Sequence, residues 1–310
     1  MKGLELARQY YQTYGRDMLE TRFGSYIKYM AMGLVGEGSE CYGYDDEYSR
    51  DHDFGPDFCI WMPYKVYKEI GKDVSRAYRE LPGEFRGFEM QPQQLEVMRR
   101  GVIPLEEFYF KYTACHDVPD SNVKWLKIPE NFLSIATNGE IWEDRLGEMT
   151  RIREALLDFY PEDVLRKKLA ARAAIMAQAG QYNYGRCMKR GDIPAAYLAC
   201  HKFVDAALSA VFLLNRVYMP YYKWSFRAAQ ELPEMKMTVD KLSALTKISD
   251  KMENAKLKEA IIEDICKDVG RALNAQGFSR SHDAFLQMHL EDIMSGIKDP
   301  VIRSMHVMAE

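Results

Sequence analysis

Two aspartates separated by one residue, Asp51 and Asp53, carry the most specific chemistry in this sequence. Side chains two positions apart on a strand point to the same face, so if this segment enters a strand, the two carboxylates lie side by side and His52 turns away. Neighbouring carboxylates repel each other unless a cation joins them, and their oxygens suit Mg²⁺ or Mn²⁺. The pair therefore predicts a divalent metal site.

A glycine-containing turn comes shortly before the two aspartates. The apolar run 29–35 predicts a buried strand, which stops at Gly36-Glu37-Gly38-Ser39. Glycine allows a ligand to approach the backbone closely, and a serine hydroxyl beside free backbone N–H groups can hold a phosphate. A phosphate-binding turn close to a metal site indicates phosphoryl or nucleotidyl transfer.

The order of these motifs resembles that of a known superfamily. A strand that ends in Gly-Ser and is followed by Asp-x-Asp on the next strand resembles the signature of the polymerase-β-like nucleotidyltransferases. The fuller pattern is similar to a bacterial branch catalogued mainly as a domain of unknown function, and it comprises Gly38-Ser39, Gly43-Tyr44-Asp45-Asp46, Ser49 and Asp51-His52-Asp53-Phe54-Gly55-Pro56. The resemblance implies that Asp51 and Asp53 bind the metal and that Gly38 and Ser39 contact a nucleoside triphosphate.

Other polar residues near the motif have two interpretations. His52 either packs and hydrogen-bonds within the fold or touches phosphate or acceptor. We interpret Asp45, Asp46 and Glu47 as a solvated turn rather than as metal ligands. Asp57 lies beyond a Gly-Pro pair that should bend the strand, so its face cannot be counted from the preceding aspartates.

A third carboxylate, common in the superfamily, has no clean match in this chain. Glu89 could lie on a short strand within 85–90, and Glu140 and Asp144 flank another. The string 138–147 resembles a segment of the same branch. The sequence does not choose among the three candidates.

Polar and aromatic residues form two clusters in the second half of the chain, at Gln178, Gln181-Tyr182-Asn183-Tyr184 and Arg186, and at Asn215-Arg216 with Tyr218-Met219-Pro220-Tyr221-Tyr222-Lys223-Trp224. Both resemble segments of that branch. By analogy with small-molecule nucleotidyltransferases, Lys223 or Arg186 would neutralise phosphate, and Tyr182, Tyr221 or Trp224 would stack on a base or shape an acceptor pocket. Alternatively, these residues build the helical bundle and its interface.

The first half alternates helical and strand patterns. Apolar residues at helical spacing predict an opening helix over 3–20, and the apolar run 58–62 continues the strand character after the Asp-x-Asp motif. Further helices are predicted over 64–81, 104–112 and 128–136, with a short strand within 85–90.

Long amphipathic patterns replace strands after residue 147. They predict helices over 148–159, 161–180, 193–218, 239–247, 254–273 and 282–297. His282 and His289, on the last of these, could share a helix face, but no third ligand lies nearby in sequence, so no metal site is predicted there.

Composition limits the function classes. The chain has 310 residues, of which 47% are hydrophobic and 28% charged, with a net charge of -4. A basic excess, the usual footprint of nucleic-acid binding, is missing, which argues against a template-using polymerase. No uninterrupted apolar run approaches the roughly 20 residues that span a bilayer.

The charged start of the chain argues against an export signal, and the six cysteines are scattered without a Cys-x-x-Cys pair. We therefore expect reduced, mostly packing cysteines in a cytoplasmic protein, with Cys41 and Cys59 close to the predicted site.

These patterns predict an α+β fold with two domains: a small mixed-sheet nucleotidyltransferase domain over 1–150 and an all-α bundle over 151–310 that covers the active-site cleft. The expected activity is metal-dependent transfer of a nucleoside monophosphate, AMP from ATP, to a hydroxyl group of a small molecule. The alternatives are a relative without catalysis that binds nucleotide or protein, and an enzyme that modifies a protein or tRNA. Oligomeric state is not predicted.

Overall fold

The computed structural model describes residues 1–50, 54–91 and 99–310. The chain divides into two compact units. The first contains 1–119 and 132–158, and the second contains 120–131 and 159–310. Residues 120–131 and 151–158 thus lie in a different unit from the one that a single division at residue 150 assigns to them.

The first unit begins with one continuous helical rod. It runs through α1 (Gly3–Tyr10), a π-helical turn (Tyr11–Gly15) and α2 (Arg16–Phe23). Leu6, Tyr10, Tyr11 and Leu19 are fully buried on one side, as the apolar spacing requires. The predicted opening helix is confirmed.

A four-stranded mixed sheet forms the centre of this unit. Its strands are β1 (Ala31–Leu34), β2 (Cys59–Met62), β5 (Gly101–Pro104) and β6 (Glu140–Asp144), in the order β5-β2-β1-β6. β1 runs antiparallel to β2 and β6, and β2 runs parallel to β5. Because Gly33 pairs with Cys59, the end of β1 and the start of β2 lie at the same edge of the sheet.

Helices and a hairpin connect these strands. They are α3 (Tyr64–Arg79), the hairpin strands β3 (Glu84–Phe85) and β4 (Phe88–Glu89), α4 (Leu105–Thr113), α5 (Asn122–Leu126), α6 (Glu130–Thr137) and α7 (Glu148–Leu157). The sequence did not predict β5, because four residues that end in proline give too short a periodic signal.

The second unit is helical. After α5 and the start of α6, it contains α8 (Glu162–Met176), a π-helical segment (Ala177–Tyr184), α9 (Gly185–Lys189), α10 (Ile193–Leu214), α11 (Tyr222–Ala229), α12 (Lys236–Lys247), α13 (Ala255–Ala275), α14 (Leu290–Ser295) and α15 (Pro300–Ser304). A small mixed sheet in the N-terminal part and a mostly helical C-terminal region confirm the predicted fold class.

Helix α10 is the core of the second unit. It packs mainly against α8 and the π-helical segment that follows α8. Among the described residues, α10 alone is long and apolar enough to cross a membrane, but 67% of its apolar window is buried inside the protein. Burial of this kind is typical of a core helix.

The last predicted helix, over 282–297, is wrong in its first half. A 3₁₀ turn (Leu286–His289) leads into α14, and the residues before it are not helical. The buried His289 ring explains the difference, since Nδ1 bonds Ser279 Oγ at 2.9 Å and Nε2 bonds the Asp283 carbonyl at 3.0 Å. His289 thus stabilises a loop.

Candidate active site

Asp51 and Asp53, the predicted metal ligands, lie outside the described residues, as does His52. Upstream, Asp46 Oδ1 accepts the N–H groups of Tyr48 and Ser49, both at 3.0 Å, so Asp46 forms the exposed turn that we predicted.

Asp45 does not belong to that solvated turn. It is buried and accepts the Gly3 N–H on Oδ2 at 3.0 Å, where it caps the first helix, and Lys2 Nζ lies 3.8 Å from Oδ1. The interpretation of Asp45 as solvated is therefore wrong. Nothing in the sequence around Asp45 and Asp46 indicates that one of these two acids caps a helix far away along the chain.

Downstream of the motif, the chain packs on the β3–β4 hairpin. The Phe54 ring is buried and contacts Phe88 edge-on at 5.1 Å between centroids. A Cβ atom on Gly55 would lie 2.7 Å from the Glu89 carbonyl oxygen, so only glycine fits this approach. The segment that directly follows Asp53 therefore lies against the strand of Glu89.

The entry to β2 is held by a buried tyrosine. The Tyr78 hydroxyl accepts the Phe58 N–H at 2.8 Å and donates to the Phe58 carbonyl at 2.9 Å. Gly101 also donates to that carbonyl, at 2.9 Å. The backbone that leads from the Asp-x-Asp motif into the sheet is thus tied to α3 and to β5.

The Gly-Ser turn leaves β1 through backbone conformations that favour glycine. Gly36 has φ +133° and Gly38 has φ +118°, which other residues rarely adopt. A Cβ atom on Gly38 would also lie 2.2 Å from the carboxylate of Glu40. Two independent constraints therefore require glycine at position 38.

An asparagine just before β6, the strand that pairs with β1, holds the start of this turn. Asn138 accepts the Gly36 N–H at 2.9 Å and donates to the Gly36 carbonyl at 2.8 Å, so its amide pairs with the backbone as a further strand residue would. The next residue, Gly139, donates to the Cys41 carbonyl at 2.8 Å. Asn138 lies in the string 138–147 that resembles a family segment, but the sequence alone indicates no role for it.

A buried arginine holds the end of the turn. Arg100 Nε donates to Asp57 Oδ1 at 3.1 Å, and Nη2 donates to the Glu37 carbonyl at 3.0 Å and to Glu40 Oε1. The Arg100 side chain is 1% exposed. Burial opposes the charge of this guanidinium, but the neighbouring acids and thiols hold the pKa of Arg100 well above its ordinary value.

Two further cations lie at the turn. Lys111 Nζ is 2.9 Å from Glu37 Oε1, and Arg99 Nε is 2.7 Å from Glu37 Oε2. Burial acts to raise the pKa of Glu37, but Lys111 and Arg99 hold it below its ordinary value of 4.5. Glu37, the residue before Gly38, thus holds one lysine and one arginine side chain at the turn.

The turn presents donors without partners. In the part of the chain that the structure describes, nothing accepts the N–H groups of Gly38 and Ser39, and the Ser39 hydroxyl has no bonded neighbour. The Ser39 carbonyl, in contrast, accepts from Tyr42 at 3.1 Å and from Tyr44 at 2.9 Å. Such free donors can bind the oxygens of an anion.

The three candidate third acids differ in their contacts. Asp144 caps α7, since it accepts the N–H groups of Gly147 at 2.9 Å and Thr150 at 2.8 Å. Glu140 accepts from Trp142 Nε1 at 3.0 Å and pairs with Arg8. The side chain of Glu89 is exposed. Asp144 is therefore used structurally, whereas Glu89 is open to solvent beside the segment that follows Asp53.

The two cysteines near the turn are free thiols. Burial raises the pKa of Cys41 well above its ordinary value and that of Cys59 to about 12. Neither thiol ionises near neutral pH, so both act as small packing residues, as predicted.

The first polar-aromatic cluster of the second unit lies on and just after the π-helical segment. Gln181 fixes a loop, because it donates to Glu263 at 2.7 Å and to the Ala284 carbonyl at 2.9 Å. The Arg186 guanidinium lies 3.8 Å above the Tyr182 ring, beside a cavity of about 300 Å³.

The residues of the second polar-aromatic cluster lie in different surroundings. Tyr221 and Tyr222 line a cavity of about 470 Å³, whereas Lys223 is exposed and lies 5.0 Å from the centre of the Trp224 ring. A phosphate contact at Lys223 stays a prediction.

Sequence analysis missed an ionic cluster that lines the same cavity. It consists of Glu130, Lys168, Arg172 and Glu310. The available signal was the placement of Lys168 and Arg172 four residues apart within an alanine-rich helix, which puts both on one face.

Residues 125–225 match the family described as Domain of unknown function (DUF4037). This segment contains every residue that lines the larger cavity except Glu310. No curated protein matches the chain.

Proposed function

We propose that this chain is a metal-dependent nucleotidyltransferase that moves a nucleoside monophosphate, AMP from ATP, to a hydroxyl group of a small molecule in the cytoplasm. The observation that carries the proposal is the Gly-Ser turn. Asn138 and Arg100 hold it rigidly at the end of β1, and its N–H groups at Gly38 and Ser39 have no partner among the described residues. A preformed set of donors beside the entry to β2 suits a triphosphate.

Asp51 and Asp53 would hold the metal ion. The donor set fits, because two carboxylates are the hard oxygen ligands that Mg²⁺ and Mn²⁺ bind. When bound, the ion would neutralise negative charge on the triphosphate and on the departing diphosphate. The Asp-x-Asp motif and the Gly-Ser turn both lie in the connection between β1 and β2, so they are close in sequence.

The chain supplies further positive charge at the turn. Lys111 and Arg99 each form an ion pair with Glu37, the residue before Gly38. A triphosphate oxygen that arrives at Gly38 and Ser39 can exchange with Glu37 as their partner, so both side chains would bind the β- and γ-phosphates.

The general base would be a third acid. Of the three candidates, Glu89 combines an exposed side chain with a strand that packs against Gly55, two residues after Asp53. Glu140 is already paired with Arg8, and Asp144 caps a helix. We therefore assign removal of the acceptor proton to Glu89.

A binding module without catalysis is the second candidate. The structural use of Asp144 and the ion pair of Glu140 favour it, since they leave fewer acids for proton transfer. In that function the turn would bind a nucleotide without turnover. A protein or tRNA acceptor is the remaining alternative, and the net charge of -4 argues against tRNA.

Turnover measurements test the assignment. With ATP labelled at the α-phosphate, Mg²⁺ and a panel of small hydroxyl compounds, the wild type should release diphosphate and label an acceptor. Asp51→Asn and Asp53→Asn should each lower the rate by at least about a thousandfold, because the metal ligands are lost. Glu47→Gln, which removes an exposed carboxylate from the same connection, should keep the wild-type rate. Near-normal turnover in both aspartate variants contradicts the proposal.

A further inference from the structure

Arg172 lies at the centre of the ionic cluster in the helical unit, and its neighbours fix its plane. Nε donates to Ser209 Oγ at 2.6 Å, and Nη2 donates to Glu130 Oε1 at 3.2 Å. The Ser209 hydroxyl in turn donates to Glu130 Oε1 at 2.7 Å. The guanidinium is therefore held in place before any ligand arrives.

The outer edge of Arg172 binds one further carboxylate. Nη1 donates to Glu310 Oε1, and Nη2 donates to Glu310 Oε2 at 2.9 Å, so the pair has the two-pronged geometry of arginine with a carboxylate. Lys168 Nζ lies 3.5 Å from Glu310 Oε2. One carboxylate thus occupies a site built from two cations on one face of α8.

The segment that carries Glu310 is held by a different lysine. Lys167 Nζ donates to the carbonyls of His306 and Val307, the latter at 3.0 Å. Glu310 lies three residues beyond that attachment. The carboxylate can therefore leave Arg172 while the rest of the segment stays in place.

The charges in this cluster indicate which kind of group can replace the Glu310 carboxylate. Arg172 and Lys168 carry two positive charges, and Glu130 and Glu310 carry two negative charges. Without Glu310, one positive charge is left uncompensated at side chains that are only 17% and 3% exposed. Burial already lowers the pKa of Lys168, and the charges of Glu130 and Glu310 oppose that effect. An anion in the place of Glu310 would restore the charge balance of this cluster.

The cavity in front of the cluster fits an aromatic or apolar body attached to such an anion. Its volume of about 470 Å³ lies within the range of small-molecule sites. Tyr221 and Tyr222 are exposed at its wall, with ring centres 4.3 Å apart. Leu126, Ile128, Pro129, Met219 and Pro220 form the apolar part of the remaining wall, and Lys127, Asn131 and Asp205 form its polar part.

We propose that this cavity binds a small aromatic molecule with a carboxylate or phosphate group, which replaces the Glu310 carboxylate on Arg172 and Lys168. Glu310 then acts as a built-in competitor that occupies the anion position when the ligand is absent. The proposal does not rest on the nucleotidyltransferase reaction, since all the residues involved belong to the helical unit.

Titration of the full chain with phenylacetate, phenyl phosphate and neutral phenylacetamide, followed by ligand-observed NMR, tests this site. Glu310→Gln should bind at least one of the two anions about tenfold more tightly than the wild type, because the competing carboxylate is gone. The matched control Glu253→Gln, which removes an exposed carboxylate of the same unit, should bind like the wild type. The better of the two anions identifies the group as carboxylate or phosphate.

A second pair of variants separates this site from a change in folding. Tyr222→Ala in the Glu310→Gln background should weaken anion binding several-fold, and Tyr197→Ala, another exposed tyrosine, should not. Lys168→Met should abolish the preference for the anions over phenylacetamide. Equal affinity of wild type and Glu310→Gln, equal binding of phenylacetamide, or no anion binding in Glu310→Gln would each overturn the proposal.

Discussion

Arg100 in the sheet-containing unit and Arg172 in the helical unit each bind two carboxylates, yet their surroundings differ. The Arg100 side chain is 1% exposed, and its partners belong to the turn and to the entry of β2. The Arg172 side chain is 17% exposed and lines a cavity, and one of its partners is Glu310, 138 residues away.

The difference separates two uses of a buried cation. Sealed from water, Arg100 can only hold the backbone around Gly38 in one arrangement. Arg172 has one fixed carboxylate at Glu130 and one exchangeable carboxylate at Glu310. We therefore treat Arg100 as a positioning residue for the Gly-Ser turn and Arg172 as a direct binding residue.

Replacement of the two arginines should have the largest effect on stability. Arg100→Met leaves Glu40 and Asp57 buried without this partner and should lower the free energy of unfolding by about 3–5 kcal/mol. Arg172→Met should cost less, about 1–3 kcal/mol, because Ser209 still bonds Glu130 and water in the cavity can solvate Glu310. Urea unfolding of both variants measures the difference. Equal losses contradict the distinction between them.

Alanine substitutions at two glycines test the rigidity of the turn, and the expected losses of stability are smaller. Gly38→Ala combines a disfavoured φ with a clash against Glu40 and should cost about 2–3 kcal/mol. Gly43→Ala has φ +68° but no atom within 4 Å of the added Cβ, so it should cost only about 1 kcal/mol.

Thermal or urea unfolding compares the two alanine variants directly. Only Gly38→Ala should also weaken ATP binding, since Gly43 lies beyond the turn. A larger loss of stability for Gly43→Ala than for Gly38→Ala contradicts the described geometry.

The smallest expected effect is a pH dependence of protein stability that arises from Glu37. Its pKa is lowered in the folded state, so the folded protein binds fewer protons there than the unfolded chain, and the contribution of Glu37 to stability is present above its ordinary pKa of 4.5. That contribution is lost as the pH falls through the lowered value.

Unfolding free energies at about pH 7 and about pH 4 check the sign. The difference in unfolding free energy between wild type and Glu37→Gln should be smaller at the lower pH. Glu69→Gln, an exposed control on α3, should show no such change. A difference that grows on acidification contradicts the assignment.

The sequence predicted β1, the turn and most helices because these depend on local periodicity and on glycine. It did not predict β5, Asn138 or Arg100, whose roles depend on contacts with distant parts of the chain. Arg99-Arg100 reads as an exposed basic pair until the sheet is known. The interpretation of Asp45 as solvated failed for the same reason, since its partner at Gly3 is 42 residues away.

The cavity in the second unit also depends on contacts between distant parts of the chain. The sequence places Tyr221 and Tyr222 in a polar-aromatic cluster, but the cluster around Arg172 joins α6, α8, α10 and the segment of Glu310. Periodicity along one helix carries no information about such partners. Lys223, which the resemblance favoured, lies outside the lining of this cavity.

The central claim is tested most directly by the melting temperature of the wild type, Asp51→Asn and Glu47→Gln with ATP, in the presence and absence of Mg²⁺. Ligand at about 100 times its dissociation constant adds about 2.7 kcal/mol of stability. We predict that ATP with Mg²⁺ stabilises the wild type and Glu47→Gln, and that Asp51→Asn loses this shift. A shift that persists in Asp51→Asn, or no shift with any nucleoside triphosphate in the wild type, would contradict a metal-dependent nucleotide site at the Gly-Ser turn.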